Sequence, residues 1–401
     1  MVIDKISVMS TKAIKQKSGR DRASLQLEAD KECILCGKCM EVCPVLSVTA
    51  KEELSPRAKY FLLQELTAGK QELSEDKVKD LAGICLKCGR CADVCPQGLN
   101  VPWAIIGLKS RSPGWKAWIW GRLVKNLQLV YPLLYGWKKI SQKIGGSRYN
   151  SLIGSGYEEI IPRFRIGSLE PVGEQKRAVL FPGCLSRYGA LSWKNRAEEI
   201  IKRAGYSLLD MPDWNCCGFA VSRAGLLEDA EEMQQDNLDL WRSLDRPYIF
   251  VLCTTCLKGL REMAKNDLDW QGEQSIWIGS LVPVSSLLKY SEFEMLNTDR
   301  SLYLHRPCHA ENRDWSVWKE IGLFEHTDTK EVNQCCGFGG CLQLEKPEIP
   351  ELIARNYWNS RTCSDNEGQL LTECSACIMQ LDRFKSANVQ VSHWLDAVEF
   401  T

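Results

Sequence analysis

The chain has 401 residues, with 51 basic and 51 acidic side chains, 44% hydrophobic and 25% charged residues, enough to bury two or three globular cores. Its charge balance, with no recognition module beside its basic stretch, excludes nucleic acid as the expected partner. Cysteine is the outlier at 20 residues, a number that a secreted chain would use for disulfides and a chain in a reducing compartment for metal.

Residues 1–30 form an N-terminal arm in which Lys5, Lys12, Lys15, Lys17, Arg20 and Arg22 leave no apolar run long enough for a secretory leader. The thiols are therefore read as cytoplasmic. The best candidate for a spanning helix, Ala117 to Trp137, is interrupted by Arg122 and Lys125 and falls short of roughly 18 apolar residues.

Over 31–101 the run C-x-x-C-x-x-C-x-x-x-C-P occurs twice, as Cys33, Cys36, Cys39, Cys43, Pro44 and as Cys85, Cys88, Cys91, Cys95, Pro96. Three thiolates at this spacing wrap one cubane, and the fourth projects toward a neighbouring cluster. The expected sets are Cys33, Cys36, Cys39 and Cys95 for one [4Fe-4S] cluster, and Cys85, Cys88, Cys91 and Cys43 for the other. Structural zinc is the competing reading, but zinc has no use for two identical four-cysteine runs. Between the runs, Ser55 to Ala82 has helical apolar spacing with a Ser-Pro start, which predicts a helical ferredoxin domain.

Residues 102–176 read as a basic, tryptophan-rich linker or docking segment. Val101 to Asn150 contains no Asp or Glu, while Lys109, Arg111, Lys116, Arg122, Lys125, Lys138, Lys139, Lys143 and Arg148 alternate with Trp103, Trp115, Trp118, Trp120, Tyr131, Tyr135 and Trp137. Such a segment suits an anionic membrane surface or a partner subunit. An internal packing helix with a solvated basic face is the plainer alternative.

From Arg177 short apolar runs alternate with amphipathic stretches. Ala178 to Phe181, Tyr248 to Leu252, Leu302 to Leu304, Leu370 to Leu371 and Val389 to Val391 are expected strands. The pattern repeats, over 177–297 and 298–401. The first copy holds Cys184, Cys216, Cys217, Cys253 and Cys256; the second holds Cys308, Cys335, Cys336, Cys374 and Cys377. Strand ends in an α/β sheet gather ligands, and helix N-termini there stabilise thiolates. Five cysteines per copy should converge, with Gly218 and Gly337 letting the backbone turn beside the tandem pairs. Cys341 and Cys363 fall outside the pattern and read as buried thiols. His309, beside Cys308, is a weak ligand or proton-relay candidate and more simply a structural residue.

With both blocks in view, the chain resembles the family that joins a two-cluster ferredoxin domain to two cysteine-rich CCG domains. That family includes the iron-sulfur subunit of glycolate oxidase, the third subunit of anaerobic glycerol-3-phosphate dehydrogenase and the catalytic subunits of heterodisulfide reductases. The resemblance implies an α+β multidomain fold, a helical two-[4Fe-4S] ferredoxin domain followed by two tandem α/β CCG domains. Ser55-Pro-Arg-Ala-Lys-Tyr-Phe-Leu and Val391-Ser-His-Trp-Leu-Asp look most like the glycolate oxidase branch.

In the heterodisulfide reductase branch a complete CCG motif holds a noncubane cluster at which a disulfide is cleaved. Both sets of five cysteines match that motif, so the resemblance implies one or two further clusters of this kind. It also implies an FAD-containing dehydrogenase subunit as partner, a 2-hydroxy acid such as glycolate or lactate as that partner's substrate, and a membrane quinone as acceptor. No dinucleotide fingerprint follows an expected strand, and no nucleophile elbow is present. The chain is therefore expected to carry electrons singly rather than to oxidise an organic substrate by itself. Reduction of a disulfide at a CCG site is the competing expectation.

Overall fold

The computed structural model describes residues 31–68, 74–130, 161–296, 301–325, 329–360, 368–385 and 388–401. Tyr131, Tyr135, Trp137, Lys138, Lys139, Lys143, Arg148 and Cys363, singled out above, lie outside these residues.

The N-terminal unit is helical. Helix Pro56–Thr67 starts where proline fits best, and the Ser55 hydroxyl accepts the Ala58 N–H at 3.1 Å. It packs with helices Glu75–Gly83 and Val101–Arg111 over Tyr60, Leu63, Val78, Ala82, Ile105 and Leu108. The two cysteine runs hang from this core as matching loops. Leu35 and Gly37 in the first, and Lys87 and Gly89 in the second, all have φ between +55° and +87°, so the backbone curls around whatever the thiols hold.

Next come eleven strands among the described residues: β1 Phe164–Leu169, β2 Arg177–Phe181, β3 Ser207–Leu208, β4 Tyr248–Val251, β5 Leu281–Pro283, β6 Ser291–Met295, β7 Ser301–His305, β8 Thr329–Val332, β9 Gly368–Thr372, β10 Val389–His393 and β11 Val398–Phe400. They form two parallel four-stranded sheets of equivalent order, β3-β2-β4-β5 and β8-β7-β9-β10. The two repeats therefore share one topology. The five strands expected from apolar runs are all present, and β3, β5 and β8 complete the sheets. A third sheet, β11-β1-β6, joins β1 to the ends of both repeats, so part of the stretch read as a linker is sheet. The repeats share one apolar core in which Trp241, Trp277, Trp315, Trp318 and Trp394 are fully buried.

The ferredoxin unit seats on the second repeat. Leu86, Val45 and Cys43 pack against Leu342, Ile349 and Ile353, Lys109 pairs with Glu345, and Arg90 donates to the Asn333 side chain at 3.2 Å. Helix Trp115–Lys125 bridges to the first repeat, through Lys125 to Asp229 at 2.5 Å and the Trp120 indole to the Ala220 carbonyl at 3.2 Å, while Trp120 also lies against Phe338 of the second. Its inner face buries Ala117 and Gly121, while Trp115 and Trp118 are exposed. No described helix is long and apolar enough to cross a membrane.

Candidate iron-sulfur centres

The first ferredoxin loop brings Cys33, Cys36 and Cys39 together, and Cys95 arrives from the second run. Burial and then the charges of Cys33 and Cys36 push the Cys39 thiol up, with a smaller push from Cys95. The second set is Cys85, Cys88, Cys91 and, crossing back, Cys43. Burial raises Cys88 and Cys91 well above the ordinary thiol range, and their neighbours in the set add to it. Cys36 is exposed at the outer end. Cys39 and Cys91 sense each other across the sets.

In each repeat the lone cysteine follows the first long strand, and the C-x-x-C pair opens a helix at the end of a neighbouring strand. Cys253 caps helix Thr254–Glu262 and Cys374 caps helix Ser375–Phe384. The tandem pairs sit beside Gly218 and Gly337, both left-handed at φ +75° and +84°. A side chain at Gly337 would strike Ile353 and the Pro350 carbonyl at 2.9 Å, so only glycine lets the tandem cysteines lie against the following helix.

The ten cysteines of the repeats form one string in which each thiol shifts the ionisation of the next. It runs Cys184, Cys216, Cys217, Cys256, Cys253, then crosses to Cys374, Cys377, Cys336, Cys335 and Cys308. Cys216, Cys253 and Cys335 each have two neighbouring thiols that hold them well below the ordinary range. Those neighbours are pushed up correspondingly, Cys374 to about 12 by Cys253 and then by its burial. The far end returns to the ferredoxin unit, because Cys88 lies close enough to Cys335 and Cys308 for their charges to interact. All eighteen cysteines singled out in the two patterns thus lie along one path.

Several features suit an iron-sulfur group. The Lys87 ammonium is buried beside Cys85 with no hydrogen-bond partner among the described residues, an orphan cation that an anionic cluster would satisfy. Burial, then the neighbouring Lys109 charge, pulls it down to about 8. The Lys87 and Gly337 amides point at the Cys85 and Cys335 sulfurs at 3.3 and 3.4 Å, as ligating thiolates require. Crowded, buried thiols that oppose one another's ionisation lose their protons readily only to a metal.

The first repeat also opens to solvent. A cavity of about 320 Å³ reaches Cys184, Cys216, Cys217 and Cys256, and Lys125, Arg187 and Glu232 lie along its wall. In the second repeat Cys335 is instead buried against Cys43 and Leu86 of the ferredoxin unit.

His309 is half-buried, with Nδ1 3.1 Å from the Thr255 hydroxyl, which itself lies 3.2 Å from the Cys374 sulfur. Burial, then the Arg223 charge, holds its imidazole down to about 4. Cys341 is buried away from the string, 3.5 Å from a Glu345 carboxylate oxygen. Two residues at these centres carry no motif of their own. Lys87 stands opposite Leu35 when the two runs are aligned, and His305 stands opposite Phe181 three residues before the lone cysteines. Comparing the copies position by position is the signal that exposes both.

Residues 29–99 match the 4Fe-4S dicluster domain, and residues 178–261 and 303–382 match the cysteine-rich CCG domain. The glycolate oxidase iron-sulfur subunit of Escherichia coli is 23% identical over 93% of this chain and 95% of its own. A subunit of the CoM/CoB fumarate reductase of Methanothermobacter marburgensis is 26% identical over 80% and 62%, respectively. A subunit of the dihydromethanophenazine:CoB–CoM heterodisulfide reductase of Methanosarcina barkeri is 21% identical over 82% and 83%. With both domain types matched in the order that the cysteine runs predict, the chain belongs to the family of iron-sulfur electron-transfer proteins that join a 4Fe-4S dicluster domain to two cysteine-rich CCG domains.

Proposed function

We propose that this chain is the electron-transfer subunit of a flavin-linked dehydrogenase of the glycolate or lactate type. An FAD-containing partner oxidises the 2-hydroxy acid, and this chain takes the electrons one at a time toward a membrane quinone or another acceptor. The observation that supports the reading is the unbroken path of thiols from exposed Cys36 to the cavity at Cys184.

On this reading Cys33, Cys36, Cys39 and Cys95 hold one [4Fe-4S] cluster, and Cys43, Cys85, Cys88 and Cys91 hold the second. Cys184, Cys216, Cys217, Cys253 and Cys256, and likewise Cys308, Cys335, Cys336, Cys374 and Cys377, hold further clusters, the five-cysteine sets suiting a noncubane form. Bound clusters supply one-electron storage. The chain's own residues supply position and field: the glycine-containing loops curl the backbone, amides face sulfur, and the Lys87 ammonium offsets anionic charge. Exposed Trp115 and Trp118, with Lys116 and Arg122 lying over their rings at 5.8 and 5.3 Å, support docking against an anionic membrane surface or partner.

Anaerobic purification of the native assembly tests the proposal. It should yield an FAD subunit, iron and acid-labile sulfide, and clusters that a 2-hydroxy acid reduces. A second reading, disulfide reduction at a CCG site, is favoured by the open cavity on the first repeat's thiols. It predicts a cluster signal that changes when a disulfide is added with no flavoprotein present. Colourless protein free of sulfide would eliminate both.

A further inference from the structure

The two repeats are built alike, yet they differ at the residue that ends the strand before each lone cysteine. Phe181 ends β2 and His305 ends β7, each three residues before the lone cysteine. Phe181 is paired in register with Val251, and His305 with Thr372, at the same place in the two sheets. Phe181 packs on Trp214 with ring centroids 5.4 Å apart. His305 is fully buried, and one of its ring nitrogens and the Cys336 and Cys377 sulfurs all lie within 4.8 Å of one another.

Nδ1 of His305 sits 3.3 Å from the Tyr357 hydroxyl, whose ring lies edge-on to the imidazole with centroids 5.4 Å apart. When Cys336 and Cys377 ligate iron they are thiolates, which accept hydrogen bonds and cannot donate them. An imidazole wedged beside two thiolates is stabilised with its proton on the nitrogen facing them. The Tyr357 hydroxyl then donates to Nδ1 and Nε2 carries the proton. Five cysteines already complete the ligand set, so the imidazole is a donor rather than a ligand. Hydrogen bonds to cluster sulfur withdraw charge and raise the potential.

We propose that His305 donates a hydrogen bond to a sulfur of the cluster in the second CCG unit and holds its potential above that of the first unit, where Phe181 cannot donate. This rests on the reading that both units hold iron-sulfur clusters. His305 is a positioning residue for charge, and the two sites are chemically unequal although their cysteine patterns match.

The test is a potentiometric titration of the anaerobically purified full-length protein, followed by electron paramagnetic resonance, with iron counted in each sample. His305→Phe copies the aromatic ring that the first repeat already accommodates. It should leave iron content unchanged and lower the reduction equilibrium constant of one CCG cluster at least tenfold, ~59 mV for one electron. His305→Gln keeps an N–H donor and should restore most of the shift. An unmoved potential in His305→Phe overturns the proposal while leaving the clusters in place. So does strong hyperfine coupling to ¹⁵N-histidine that His305→Phe abolishes, which would make the imidazole a ligand. Wild-type protein with no iron in its CCG units overturns the proposal together with the reading beneath it.

Discussion

The Cys253 and Cys374 thiols, the first cysteines of the C-x-x-C pairs in the two repeats, stand beside each other and shift each other's ionisation. The string of ten cysteines reads the same outward from this pair: second C-x-x-C cysteine, tandem pair, lone cysteine. The link is braced by backbone, since the Thr254 amide donates to the Glu373 carbonyl at 3.0 Å. Clusters held on either side should therefore interact magnetically. Cys253→Ser should perturb the paramagnetic signals of both CCG sites, whereas Cys184→Ser, at the far end, should perturb one. If Cys253→Ser left the second site's spectrum untouched, the shared edge would be disproved.

Gly183 opens the short helix that carries Cys184, at φ +72°. A Cβ there would meet the Cys256 sulfur at 3.1 Å and the Cys253 Cβ at 3.6 Å. Gly37, at φ +79°, would meet nothing within 4 Å. Both alanine variants bear the left-handed strain of roughly 1–2 kcal/mol, but only Gly183→Ala also intrudes on the cysteines. Gly37→Ala should keep its full iron content and lose a few degrees of thermal stability. Gly183→Ala should lose iron from the first CCG site, and equal iron counts in the two variants would refute the cradle.

Much of this arrangement is legible in the chain, and the rest fails to be so for a physical reason. Apolar runs such as Tyr248 to Leu252 mark buried parallel strands because both of their faces are covered. The cysteine runs stand out because a cluster, where one is bound, imposes spacing on its ligands. Strand β3, of Ser207 and Leu208 alone, has no periodicity to detect. Strand β1 reads as linker because its partners, β6 and β11, are far away in sequence. The order along the path, with the second repeat standing between the ferredoxin unit and the first, is set by surface packing such as Leu86 against Leu342 and Ile353. No local pattern encodes that contact.

Lys87 is a charge buried beside a cysteine run. Its counterpart Leu35 is 58% exposed, whereas Lys87 itself is 1% exposed, an inversion of the usual preferences of both residue types. Lys87→Met removes a buried positive charge beside Cys85 while keeping the volume. Coulomb's law for a unit charge several ångströms away, at an effective dielectric near 20, gives ~2 kcal/mol, or ~90 mV for a one-electron couple. The second ferredoxin cluster should become harder to reduce by about that amount. A potential unchanged in a redox titration of this variant would show that the ammonium does not act on the cluster.

Asp396 ties the end of the second repeat to the first. Its carboxylate accepts from the Trp193 indole at 2.6 Å and faces Arg196 at 3.2 Å. Burial nevertheless outweighs both partners and pushes the carboxyl up from 3.8 to about 6. The folded chain thus holds this proton more tightly than the unfolded chain does. The associated stability is fully present below pH 3.8 and is lost as pH rises through about 6; two pKa units correspond to ~3 kcal/mol. Asp396→Asn keeps an acceptor for Trp193 and stays neutral throughout. Its stability relative to the parent should therefore increase between pH 4 and pH 7, by up to ~3 kcal/mol, in denaturant unfolding followed under anaerobic conditions. A difference that stayed flat across that range would mean that Asp396 is ionised at no cost, with Arg196 compensating its burial in full.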